Sequence, residues 1–113
     1  MAKVKYAAEH YSYRVGWSEE DQVYVARVAE FPSLAAHGDT LESALKQITS
    51  VVGAVLKDLA RAGEEIPEPL GKRVYSGKLN LRLPAYLHRE LSIEAAHEGM
   101  SLNQLIVLKA ESR

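Results

Sequence analysis

The chain predicts an α+β protein in two parts: a small sheet crossed by one long helix, then a strand followed by two short helices. Three patterns predict it. Residues 11–17 alternate apolar and polar side chains with period 2, and a β-branched and aromatic run follows at 23–28. Residues 41–59 repeat apolar residues three and four positions apart. Residues 75–113 read strand, proline, helix, glycine, serine, helix.

Each element has its local reason. Tyr11, Tyr13, Val15 and Trp17 fall on one side of a strand, with Ser12, Arg14 and Gly16 on the other. Val23 to Val28 is β-branched and aromatic, a second strand, and the polar residues 18–22 close the pair as a hairpin with a loop of about five residues. Pro32 breaks the run, because it lacks the N–H a central strand would use. Residues 34–37 are a short third strand. Gly38-Asp39-Thr40 turns into the long helix, with Asp39 or Thr40 as N-cap and Asp39 with Glu42 as a capping box. Leu41, Ala44, Leu45, Ile48, Val51, Val52, Val55, Leu56 and Leu59 make one continuous apolar face, and Gly63 stops the helix. Residues 1–10 are mixed and expected to fray at the start.

Residues 64–74 contain Pro67, Pro69, Gly71 and three glutamates, the composition of an extended linker. The expected division is a domain over 1–63, a linker over 64–74 and a domain over 75–113. Charge changes at the same place. Residues 1–70 hold 7 Lys/Arg against 11 Asp/Glu, and residues 71–113 hold 7 against 4. An acidic part joined to a basic part suggests two tasks.

Hydrophobic residues make up 47% and charged residues 26%, the balance of a globular protein. No apolar run approaches the ~18 residues of a membrane span. The lysines of Met1-Ala2-Lys3-Val4-Lys5 have no apolar stretch behind them, so no signal peptide is read there. There is no cysteine, which excludes disulfide scaffolds and cysteine-held zinc. A cytoplasmic protein without a membrane partner is expected.

In the second part, Leu79, Leu81 and Leu83 share one face of the strand and Lys78, Asn80 and Arg82 the other. Pro84 suits the first turn of a helix from Ala85 to Glu98, with Leu87, Leu91 and Ala95 on one side. Gly99 ends it, and Ser101 caps a second helix from Leu102 to about Glu111. One strand and two short helices bury too little to stand alone, and a single strand leaves its backbone unpaired. Two copies solve both problems. Their strands pair antiparallel, with Leu79, Leu81, Leu83, Leu87, Leu91, Leu105 and Ile106 as the dimer core. Such a two-stranded ribbon fits the DNA major groove. There Arg82 can donate to guanine O6 and N7, Asn80 can pair with adenine N6 and N7, and Lys78 can reach a guanine or a phosphate. The free N–H groups around Ser101, Leu102 and Asn103 can hold a DNA phosphate.

The segment Gly77-Lys78-Leu79-Asn80-Leu81-Arg82-Leu83-Pro84, with Leu87-His88-Arg89-Glu90-Leu91 and Glu98-Gly99-Met100-Ser101-Leu102-Asn103-Gln104-Leu105-Ile106, resembles the ribbon-helix-helix repressors of the Arc and MetJ kind. The resemblance implies base reading by Lys78, Asn80 and Arg82, and phosphate contact at Ser101, Leu102 and Asn103. The first part resembles the HicB antitoxin domain, on Tyr13-Arg14-Val15, Tyr24-Val25-Ala26, Glu30-Phe31-Pro32 and Ala35-Ala36-His37-Gly38-Asp39-Thr40-Leu41-Glu42-Ser43-Ala44-Leu45. This implies a degenerate RNase H-like fold that binds a small mRNA-cleaving RNase toxin, HicA, while the protein represses its own operon as a homodimer or higher homo-oligomer on operator double-stranded DNA. The acidic residues 19–21 and 64–68 would face such a basic toxin.

RNase H chemistry needs carboxylates converging on two metal ions. The two strands of the hairpin carry none, and Glu19, Glu20 and Asp21 cluster in the turn. The domain therefore reads as a binding module, with no catalytic residues, metal or cofactor. His10, His37, His88 and His97 lack ligand spacing. The tyrosines and Trp17 read as core and interface aromatics rather than a stacking platform for RNA. The alternative reading is a stand-alone transcriptional repressor whose first domain serves oligomerisation or ligand sensing.

Overall fold

A computed structural model describes residues 4–112. Met1, Ala2 and Lys3, at the start of the segment expected to fray, lie outside the described residues, as does Arg113. The chain divides after Tyr75 into two units.

In the first unit, β1 (Tyr13–Ser18) pairs antiparallel with β2 (Val23–Val28), and β2 pairs antiparallel with β3 (Ala35–Gly38). The order is β1-β2-β3. β2 has the predicted bounds. β1 begins later than the alternation suggested, because Tyr11 caps the turn before it, its N–H donating to the Ala8 carbonyl at 3.3 Å, while its side chain is buried at 4% exposure. The register sets Tyr13 opposite Val28, Val15 opposite Ala26 and Trp17 opposite Tyr24. These side chains share the sheet face that α1 (Leu41–Ala62) crosses. Ala44, Ile48, Val52 and Leu56 of α1, four residues apart, are buried against Ala26 and Val28. Leu41 and Leu45 lie toward the edge of the apolar face and stay exposed, so its centre is narrower than the sequence count. Ala8–His10 form a 3-10 turn where fraying was expected, because Ala8 packs on the core and its carbonyl accepts the Tyr13 hydroxyl at 2.6 Å.

The cap of α1 differs from the expected one. Thr40 is the N-cap, and its partner is Ser43. The Ser43 N–H donates to Thr40 Oγ1 at 3.0 Å and the Thr40 N–H donates to Ser43 Oγ at 3.1 Å. Asp39 sits one residue too early for the same exchange. Gly63 ends the helix in the left-handed region, at φ 69°.

Much of the expected linker is packed on the first unit. Pro69 is buried and Ile66 packs on the core. The Tyr11 hydroxyl donates to the Pro67 carbonyl at 2.6 Å. Burial, and then the charge of Glu30, pushes the Tyr11 phenol up to about 12, so it remains a donor. Glu30 is the second fastener. Its carboxylate accepts the Leu70 N–H at 2.9 Å, the Ser12 N–H at 3.0 Å and the Ser12 hydroxyl at 2.9 Å. Burial raises the Glu30 pKa, but the donors, led by the Leu70 and Ser12 N–H groups, outweigh it and hold the carboxyl below its ordinary value.

A carboxyl with a depressed folded pKa contributes stability above its unfolded pKa and loses it as pH falls through the folded one. Glu30→Gln should therefore cost the first unit about 1 kcal/mol at neutral pH. It should also flatten the loss of stability below the ordinary carboxylate range. Denaturant midpoints across an acid series measure both, and an unchanged acid slope would remove Glu30 from this role.

The second unit holds α2 (Ala85–Glu98) and α3 (Leu102–Glu111), with the predicted bounds. Pro84 is the N-cap of α2, and its carbonyl accepts the N–H groups of Leu87 and His88. Gly99 turns the chain at φ 67°, and the Met100 N–H closes back on the Ala95 carbonyl at 3.0 Å. The helices meet over Ala95 and Leu105, both buried, and an exposed Lys109–Glu94 ion pair at 3.0 Å spans them.

Candidate nucleic-acid interface

Residues 76–83, which lead into α2, are assigned to neither helix nor ladder. The sequence predicts a strand there, and a strand needs a partner that one chain does not supply. The Lys78 N–H bonds to Ser76 Oγ at 3.1 Å. Among the described residues, the backbone of residues 79–83 makes no hydrogen bond. Residues 79–82 are exposed, so these N–H and C=O groups are open to water or to a second strand.

Its side chains point to how. Lys78, Asn80 and Arg82 are exposed, in alternation with leucines. Leu79 is 85% exposed and Leu81 55%. Of the other expected dimer-core residues, Leu105 is buried within the chain, while Leu83, Leu87, Leu91 and Ile106 are half-buried. Sequence reasoning left out Tyr86, Ile93 and Val107 from that core, and all three are exposed on the helices, as is Leu108. Their helical spacing is weak, so periodicity alone did not mark them. An apolar surface this open on so small a unit is of the kind that interaction sites present.

At the start of α3, the expected phosphate site is partly committed. The Ser101 N–H donates to Gln104 Oε1 at 2.8 Å, and Ser101 Oγ accepts the Gln104 N–H at 3.0 Å. That is a capping box, legible as Ser-x-x-Gln in the sequence. Among the described residues, the N–H groups of Leu102 and Asn103 have no acceptor. They are the donors that remain for an anion.

Residues 62–109 match the HicB family model.

The matched stretch is under half of the chain. It begins at the last residue of α1, takes in the packed segment before Tyr75, and runs almost to the end of α3. It supports a HicB-family protein. Every residue expected to touch DNA or to form the dimer core lies within the HicB-matching stretch. The sheet and nearly all of α1, which carried the antitoxin-domain resemblance, lie before it. No curated protein and no solved structure matches the chain. No helix among the described residues is long and apolar enough to cross a membrane. Among the same residues, no three His, Asp or Glu side chains converge where they could hold a metal.

Proposed function

We propose that this chain is a HicB-type antitoxin of the cytoplasm that neutralises a small HicA-like mRNA-cleaving RNase through its first unit and represses its own operon through its second. One observation carries the reading. The HicB match covers a unit whose leucines and backbone are left open at residues 79–83. Antiparallel pairing of residues 78–83 from two chains completes the backbone and covers Leu79, Leu81 and Leu83. It stands Lys78, Asn80 and Arg82 together for the major groove. Leu102 and Asn103 then anchor the register on phosphate through their free N–H groups. The first unit acts as a binding module, and its net negative charge steers it to a basic RNase.

The test is co-expression of the small reading frame beside this one, with and without this chain. The expected result is growth arrest by the small protein, relief by this chain, and a complex that co-purifies. Arg82→Ala separates the two activities. It should weaken operator binding by about 1–3 kcal/mol, roughly 5- to 150-fold, and leave growth rescue intact. Neither arrest nor complex would overturn the antitoxin reading and leave a repressor whose first unit has another partner.

A further inference from the structure

The hairpin register places Arg14 directly opposite Arg27. Tyr13 and Val15, with their partners Val28 and Ala26, face α1, so the two arginines stand on the other side of the sheet. Among the described residues, no helix of the first unit packs on that side. Both arginines are exposed, and among the described residues neither makes an ion pair or a hydrogen bond. Like charges set directly across two strands weaken a sheet, unless an anion lies between them. A guanidinium pair at this spacing suits carboxylates, which each fork can take bidentately.

The rest of the face says where the carboxylates come from. From the arginines, which Ala35 of β3 adjoins, toward the hairpin turn, it passes over Gly16 and Val25, with the exposed His37 of β3 beside Val25, and then Val23. Along the hairpin itself this floor is aliphatic, with Val23 and Val25 half-buried, and His37 of β3 borders it. At the turn stand Glu20 and Asp21, both exposed, and Asp21 lines the same shallow depression as Val23, Val25 and Arg27. Glu19 is held elsewhere, since its carboxylate accepts the Trp17 indole N–H at 2.7 Å. Along the hairpin the face therefore runs cation, apolar floor, anion. Such a strip is complementary to its own copy turned through a half circle. Strand rise is about 3.3 Å per residue, so the centre at Gly16 and Val25 lies about 7 Å from the arginines and at a comparable reach from the turn.

We propose that two copies of the first unit pack this sheet face against itself about a two-fold axis near Gly16 and Val25. Arg14 and Arg27 of each copy bind Glu20 and Asp21 of the other. The contact is isologous, as closed dimers are, and packs sheet on sheet. A nucleic acid fits this face less well. Its phosphates would run onto the acids at the turn, and the aromatic side chains that stack bases, Tyr13, Trp17 and Tyr24, stand on the α1 side.

The experiment measures the mass of the full-length protein in solution by sedimentation velocity. Arg14→Glu with Arg27→Glu should halve the number of chains per particle, and Glu20→Arg with Asp21→Arg should do the same. The four substitutions together restore the wild-type mass, because the charges have exchanged places. All four residues are exposed, and circular dichroism checks that each variant keeps its helices. An unchanged mass in both charge-reversed pairs overturns the proposal, as does loss without restoration in the combined variant. Assembly through the second unit is read separately. Leu79→Asp with Leu81→Asp should halve the mass by a different route, and combining it with the arginine reversal should give single chains. If the leucine variant alone gives single chains, the sheet face carries no contact. If it changes nothing while the arginine variant does, the strand pairing of residues 78–83 is wrong instead.

Discussion

Aspartate at Leu79 and Leu81 together should abolish pairing through the second unit and with it specific DNA binding, while α2 and α3 still form. Both leucines are more than half exposed in the single chain, so neither holds that unit together on its own. In the proposed ribbon each buries against the partner, at roughly 1.5–3 kcal/mol per side chain. Four such side chains meet in one dimer, about 6–12 kcal/mol of burial set against the entropy lost on association. Aspartate forfeits this and would bring an unpaired carboxylate into an apolar seam, a further cost of several kcal/mol. One chain alone offers half of the proposed ribbon, so the proposed base-reading set of Lys78, Asn80 and Arg82 is never doubled. The measurement is operator-fragment binding beside sedimentation velocity. Retained pairing with retained affinity would show that the leucines meet no partner.

Gly38→Ala should lower the stability of the first unit by about 2–4 kcal/mol, as overpacking and loss of a helix cap combine. A Cβ at this position would lie 2.6 Å from the Ala44 backbone N and closer still to Ser43 Oγ. The end of β3 and the first turn of α1 approach here with no room for a methyl group. Ser43 Oγ cannot simply move aside, because it accepts the Thr40 N–H in the capping box. Either the cap opens or β3 shifts away from the helix. Urea unfolding should show a lower midpoint at an unchanged slope. A wild-type midpoint would mean that the turn relaxes at no cost.

Helix and strand bounds were legible where the deciding forces are local. The 3-and-4 spacing over residues 41–59 marks α1, with Gly63 and Gly99 as stops, because a left-handed C-cap favours a residue without a Cβ. The alternation of Leu79, Leu81 and Leu83 with Lys78, Asn80 and Arg82 was equally plain, and the HicB match falls on the stretch that contains it. The Thr40–Ser43 cap was local too, but Asp39 offered a competing oxygen, and only the path from β3 through Gly38 chooses between them.

What the tertiary structure alone decided depends on residues far apart in the chain. The segment after α1 has the prolines and acids of a free linker, yet Tyr11 reaches Pro67 across 56 positions and Glu30 reaches Leu70 across 40. No periodicity encodes such a bond, because it exists only once the sheet has brought the donor and acceptor together. The same holds for Arg14 and Arg27, which become neighbours through the hairpin register. Residues 78–83 show the opposite limit. Their sequence has the alternation of a strand, but a strand needs a second backbone to bond to, and in the single chain these residues form none.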